Sequence, residues 1–191
     1  MNNGVKIVLV VLGAIAIVAI GAIMYGVGQY NQVVAMDEQV KSQWAQVDNQ
    51  LKRRYDLIPN LVEIAKGYAK HEKELFEHLA DARTKYFQAP TAKDKMAASG
   101  QFEGVLSRLL VLQETYPQLK ANENFMKLHD DLAGTENRIA VERMRYNETV
   151  KMLNTYRRSV FGRFFASLAG VNEAQYYEVP QAEKEAPKVK F

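Results

Sequence analysis

Hydrophobic positions along this chain fall into two regimes. Residues 7–27 carry no charged side chain, and nearly every one is Ile, Val, Leu, Ala, Gly or Met. At about 1.5 Å of rise per residue, a helix of that length measures roughly 30 Å, the hydrocarbon thickness of a bilayer. Further on, apolar residues recur at helical intervals. Val33, Val40, Trp44, Val47, Leu51, Tyr55 and Ile58 share one helix face. Pro59 lacks an amide hydrogen and crowds the preceding turn, so the pattern predicts a kink or an end there. A second series follows at the same spacing: Leu61, Ile64, Tyr68, His71, Leu75, Leu79, Ala82 and Tyr86. After a break over 88–91, a third helix is predicted from Thr91 or Ala92, with Phe102, Val105, Leu109, Leu112 and Tyr116 inward and Pro117 at its end. Asn122 is placed to cap a fourth, with Phe125, Leu128, Leu132, Ile139, Tyr146, Val150 and Leu153 on its inner face.

These elements predict an all-α protein. An N-terminal transmembrane helix occupies 1–28, an antiparallel long four-helix bundle 29–170, and a flexible tail 171–191, in which residues 181–190 are rich in Lys, Glu and Pro. The apolar run exceeds the roughly 7–15 residues of a signal-peptide core, and Gly26-Val27-Gly28 imitates a cleavage site poorly, so the run reads as an uncleaved anchor. Lys6 lies on one side of it, and Asp37 and Glu38 come first on the other, which favours the N-terminus inside and the body outside. Ala22 and Gly26, with Ala14 on the same side, form a small-x-x-x-small stripe suited to helix association in the bilayer.

Charge and residue usage then narrow the chemistry. With 25 basic and 22 acidic residues, the near-balance argues against nucleic acid as a partner. The absence of cysteine removes disulfides, thiolate metal sites and a lipid-bearing cysteine. A di-metal site in a bundle needs Glu-x-x-His on two helices, and none of His71, His78 and His129 has Glu three residues before it. No His-Glu-x-x-His, phosphate-binding glycine loop or Gly-x-Ser-x-Gly elbow is present. The expectation is a non-enzyme with no cofactor, no metal and no small-molecule substrate.

Four groups of residues stand out. Arg53, Arg54 and Asp56 are expected to meet Glu114 on the third helix and Glu136, Arg138, Glu142 and Arg143 on the fourth. Two readings apply: a salt-bridge lattice that fixes helix order, or a charged docking face for another protein or a second copy. Asp56-Leu-Ile-Pro59-Asn60 reads as a helix kink, or as a binding corner. His71 is expected inside, hydrogen-bonded between Tyr68 and Leu75, with pH sensing as the alternative. Finally, Phe161, Phe164, Phe165 and Leu168 make an aromatic patch beside Arg157, Arg158 and Arg163. It seals the bundle end, binds a partner, or presses on an anionic membrane surface.

The stretch Leu51-Lys-Arg-Arg-Tyr-Asp-Leu-Ile-Pro-Asn-Leu-Val62 and the following Lys66-Gly-Tyr-Ala-Lys-His-Glu72 together resemble the signature of the LemA family of bacterial membrane-anchored helical proteins. The likeness continues through Glu114-Thr-Tyr-Pro-Gln-Leu-Lys-Ala-Asn122, Thr135-Glu-Asn-Arg-Ile-Ala140 and Arg143-Met-Arg-Tyr-Asn147, and runs in order from Tyr30 to Phe191. The resemblance implies a location in the bacterial inner membrane and no established reaction. The resulting expectation is a single-pass scaffold or adaptor of coiled-coil-like helices. It is held in the lipid bilayer by residues 7–27, forms a homo-oligomer, and has room for another membrane protein as partner. The alternative is a regulator or sensor of envelope stress that engages a membrane protease.

Overall fold

The computed structural model describes residues 3–178, and these are all-helical. The elements are α1 (Asn3–Tyr68), α2 (Lys73–Gln88), α3 (Ala92–Thr115), α4 (Pro117–Lys120), α5 (Glu123–Arg158) and α6 (Val160–Leu168). An irregular segment over 171–178 follows, and no strand occurs among the described residues. The chain divides into two compact units. One gathers the described residues up to Lys41 with Thr149–Ala174; the other gathers Ser42–Glu148 with the described residues from Gln175 onward. The lysine-, glutamate- and proline-rich residues 181–190 lie outside the described residues.

In the first unit, α1 is long and apolar enough to cross a membrane. Its apolar side chains between 7 and 27 point outward, Val18 being 71% exposed. Hydrocarbon rather than water is the solvent that suits such a surface, because the helix satisfies its own backbone and offers nothing polar. Further along, Tyr156 of α5 donates its hydroxyl hydrogen to Gln29 Oε1 at 2.7 Å. The corner from α5 into α6 depends on local chemistry. Ser159 caps α6, its Oγ accepting from the Gly162 amide at 3.0 Å and donating to the Tyr156 carbonyl at 2.7 Å. A Cβ at Gly162 would lie 1.8 Å from that carbonyl oxygen, so only glycine fits the corner. At the far end, Gly170 takes φ +67°, and the amides of Gly170 and Val171 return to the carbonyls of Ser167 and Ala166. This left-handed cap ends α6 and turns the chain back, burying Val171.

The second unit is organised around Tyr55. Its ring packs on Tyr86 of α2 at 4.3 Å and on Phe102 of α3 at 4.4 Å between centroids. Burial pushes the phenols of Tyr55 and Tyr86 well above their ordinary range, so both stay neutral. The sequence stripes are largely recovered as buried side chains: Val47, Leu51, Tyr55 and Ile58 on α1, Leu79, Ala82 and Tyr86 on α2, Phe102, Leu109 and Leu112 on α3, and Phe125, Leu132, Ile139 and Tyr146 on α5. The expected caps also form. Thr91 Oγ1 accepts from the Asp94 amide at 3.1 Å, and Asn122 Oδ1 from the Phe125 amide at 3.0 Å.

Of the kink or end expected at Pro59, the end does not occur. The helix passes through it and stops only at Tyr68. Proline at this position deprives the Tyr55 carbonyl, one turn earlier, of its intrahelical donor. That carbonyl accepts instead from Arg83 Nε of α2 at 3.3 Å, a replacement supplied across the fold. The break falls at residues 69–72, where Ala69 still donates to Ala65 and Glu72 donates to Ala69. His71 is therefore not a core residue: it sits exposed on this turn, and Phe76 is the buried residue that opens the α2 stripe.

Candidate functional site

Two constellations anticipated from sequence take definite form, one in each unit. In the second unit, Arg54 lies on the buried face of α1, one residue before Tyr55, and its side chain is only 7% exposed. Its guanidinium forks onto the Glu103 carboxylate of α3, with Nη2 donating to Oε2 at 2.9 Å and Nη1 contacting Oε1. Nη1 also stands 2.6 Å from Glu136 Oε2 of α5. Glu136 in turn faces Arg143 at 3.8 Å, and the Arg143 guanidinium lies 4.8 Å from the centre of the Tyr177 ring. Two cations and two anions thus alternate, both guanidiniums buried and Glu136 partly exposed, which meets the condition that buried charge be paired.

A second hub surrounds Asp48, one turn and a half earlier on α1. It accepts from Tyr86 at 2.5 Å and from Lys95 at 2.8 Å, and lies 2.8 Å from Lys52. Burial alone would raise this carboxyl, but the hydrogen bonds from Lys52, Lys95 and Tyr86 outweigh it and hold Asp48 below the usual carboxylate range. A depressed folded pKa contributes stability that is present above the unfolded value of about 3.9 and disappears as pH falls through the folded value. Between pH 5 and pH 2, Asp48→Asn is therefore expected to flatten the acid side of the stability profile. Urea titrations across that range, giving parallel acid slopes for wild type and variant, would contradict the assignment.

The remaining candidates separate. Glu114 does not join the lattice; it is exposed beside Pro117 and Lys120. The acid opposite Arg54 is Glu103, about three turns earlier and so roughly 16 Å back along α3. Arg53, Arg138, Pro59 and Asn60 are exposed, and exposed Asp56 lies 3.6 Å from Arg83. Glu72 accepts from the Tyr116 hydroxyl at 3.3 Å. Glu142 accepts from Gln43 at 2.7 Å and from Arg145 at 2.8 Å. Among the described residues, no group of His, Cys, Asp and Glu is arranged to hold a metal ion.

Sequence reasoning missed the part played by the irregular segment. Asn147 brackets the Tyr177 backbone, donating to its carbonyl at 3.0 Å and accepting from its amide at 2.8 Å. Tyr177 is buried, with its hydroxyl 2.5 Å from Ser99 and its ring 6.2 Å from Trp44. In the first unit, Asn154 brackets Ala174 in the same manner, at 2.8 and 3.1 Å. Residues 171–177, expected in the tail, are thus pinned by side chains. The legible signal was a pair of asparagines seven residues apart in the middle of a helix, where asparagine is otherwise a poor choice.

The first unit's constellation is the aromatic patch. Phe161 stacks edge-on against Tyr25 at 6.0 Å, and a Cβ at Gly26 would lie 3.7 Å from the Phe165 ring. Gly26, half-buried, thus faces α6 of its own chain. Phe164 faces outward, its ring 5.2 Å from that of Phe165.

Magnetosome proteins MamQ 1 and MamQ 2 of Paramagnetospirillum magneticum are each 24% identical to the chain over 204 residues, covering 93% of it and 74% of their own length. Magnetosome protein MamQ of Magnetospirillum gryphiswaldense is 22% identical over 175 residues, covering 78% of this chain and 64% of its own. The family description that matches is LemA, over residues 43–191, which takes in α2 to α6 and the polar part of α1. The chain belongs to the LemA family.

Proposed function

We propose that this protein is a single-pass membrane scaffold or adaptor that self-associates and has no catalytic activity of its own. The observation that carries the reading is α1, in which an outward-facing apolar run continues without a break into a polar, charge-paired helix. On this reading, residues 7–27 span the bacterial inner membrane with the N-terminus inside. Residues 29–170 form the body, an antiparallel four-helix bundle outside it. The ionic lattice supports a structural role for the interior, since each of its charges is opposed by another. The relatives are named for the magnetosome, not for a reaction.

The test is native mass in mild detergent, for the full chain and for a variant beginning at Gln29. A discrete oligomer for the full chain is expected. A monomer at every concentration would rule out self-association and leave a one-to-one adaptor.

A further inference from the structure

Among the described residues, one face of α6 is left largely exposed. Val160 is 86% exposed, Phe161 60%, Phe164 63% and Leu168 63%. At about 100° per residue these four occupy one stripe, roughly a quarter of the circumference. Beside the stripe lies the face formed by Gly162, Phe165, Ala166 and Ala169, which is buried or half-buried. Arg163 and Ser167 take the remaining exposed strip, and exposed Arg158 precedes the helix. Such a division suits a helix lying flat in a membrane interface, with aromatic side chains in the acyl region and cations at the phosphates.

What covers the stripe is indicated by where α6 is held. Phe161 stacks on Tyr25, and Phe165 lies against Gly26, the last turn of the apolar run. Tyr156, just before the corner, bonds to Gln29, the first polar residue beyond that run. Tyrosine at the end of a membrane span marks the headgroup level. We infer that α6 is a second membrane element, an interfacial helix that inserts Phe161, Phe164 and Leu168 into the leaflet at the C-terminal end of the anchor and sets Arg158 and Arg163 against anionic lipid headgroups. This rests on the proposal that residues 7–27 span the bilayer. The corner glycine, the Ser159 cap and the left-handed Gly170 then serve to hold a short helix at that depth.

The chain has no cysteine, so single cysteines can be labelled selectively. Full-length Phe164→Cys, Leu168→Cys, Lys151→Cys and Val18→Cys variants would carry a nitroxide in vesicles of phosphatidylethanolamine and phosphatidylglycerol. Collision with oxygen and with a water-soluble nickel chelate is then read by power saturation. Val18 is expected to be open to oxygen and closed to nickel, Lys151 the reverse, and positions 164 and 168 several-fold closer to Val18 than to Lys151. Nickel access at 164 equal to that at 151 overturns the inference while leaving the anchor intact. Shielding from both reagents also overturns it, since protein rather than lipid would then cover the stripe. Loss of the lipid signature at Val18 as well overturns the spanning anchor and this inference together. Arg158→Gln with Arg163→Gln should reduce immersion at 164 in these vesicles and leave it unchanged in phosphatidylcholine; equal loss in both lipids would refute the headgroup contact.

Discussion

Arg54→Ala is expected to lower the unfolding free energy by about 3–5 kcal/mol, the range for removing one partner of a buried ion pair. The cost arises because the largely buried Glu103 loses its guanidinium, while Glu136, 37% exposed, keeps Arg143. Arg54→Lys should recover only part of it, since an ammonium cannot fork onto one carboxylate while touching a second. Adding Glu103→Gln to Arg54→Ala should return stability, because the stranded charge is then removed. Urea unfolding in mild detergent reads this directly. Trp44 is the only tryptophan and sits 5.6 Å from Tyr146 and 6.2 Å from Tyr177, inside the same unit. A loss for Arg54→Ala within about 0.5 kcal/mol, typical of a surface change, would show that the lattice does not stabilise the interior.

Leu109→Ala should cost about 2–5 kcal/mol through lost burial and the cavity left behind. Leu109 is fully buried in α3, one turn from buried Leu106 and Leu112. Close-packed surroundings relax only in part, so the vacated volume is not recovered. Val111, two residues away and 53% exposed, is the internal control, and Val111→Ala should stay within about 0.5 kcal/mol. Equal, small effects at both positions would mean that α3 is not packed as described.

Residues whose environment is set by their own helix were read correctly from the sequence. Leu79, Leu109, Ile139 and Tyr146 are buried because apolar spacing near 3.6 selects one face whatever lies opposite. The Thr91 and Asn122 caps follow from equally local chemistry. The helix does not end at Pro59 because the penalty of a missing amide depends on whether another donor reaches the freed carbonyl, and that donor, Arg83, comes from a different helix. His71 misled through the same shift, since moving the break from Pro59 to 69–72 takes it off the inner face. For the site, the expected meeting of Arg54 with Glu136 is realised, while Glu103 rather than the expected Glu114 answers from α3, because spacing gives a face but not a height along the partner helix.

The sequence by itself determined the all-helical class, the apolar N-terminal run, the capped starts of α3 and α5 and the family, because each rests on interactions within a few residues or on composition. Only the tertiary structure decided which acid answers Arg54, how the carbonyl before Pro59 is satisfied, and that Asn147 and Asn154 bracket the backbone at Tyr177 and Ala174. It also decided that α6 lies against the end of the apolar run. Those pairings join residues far apart in the chain, and their partners are selected by three-dimensional distance, which no periodicity encodes.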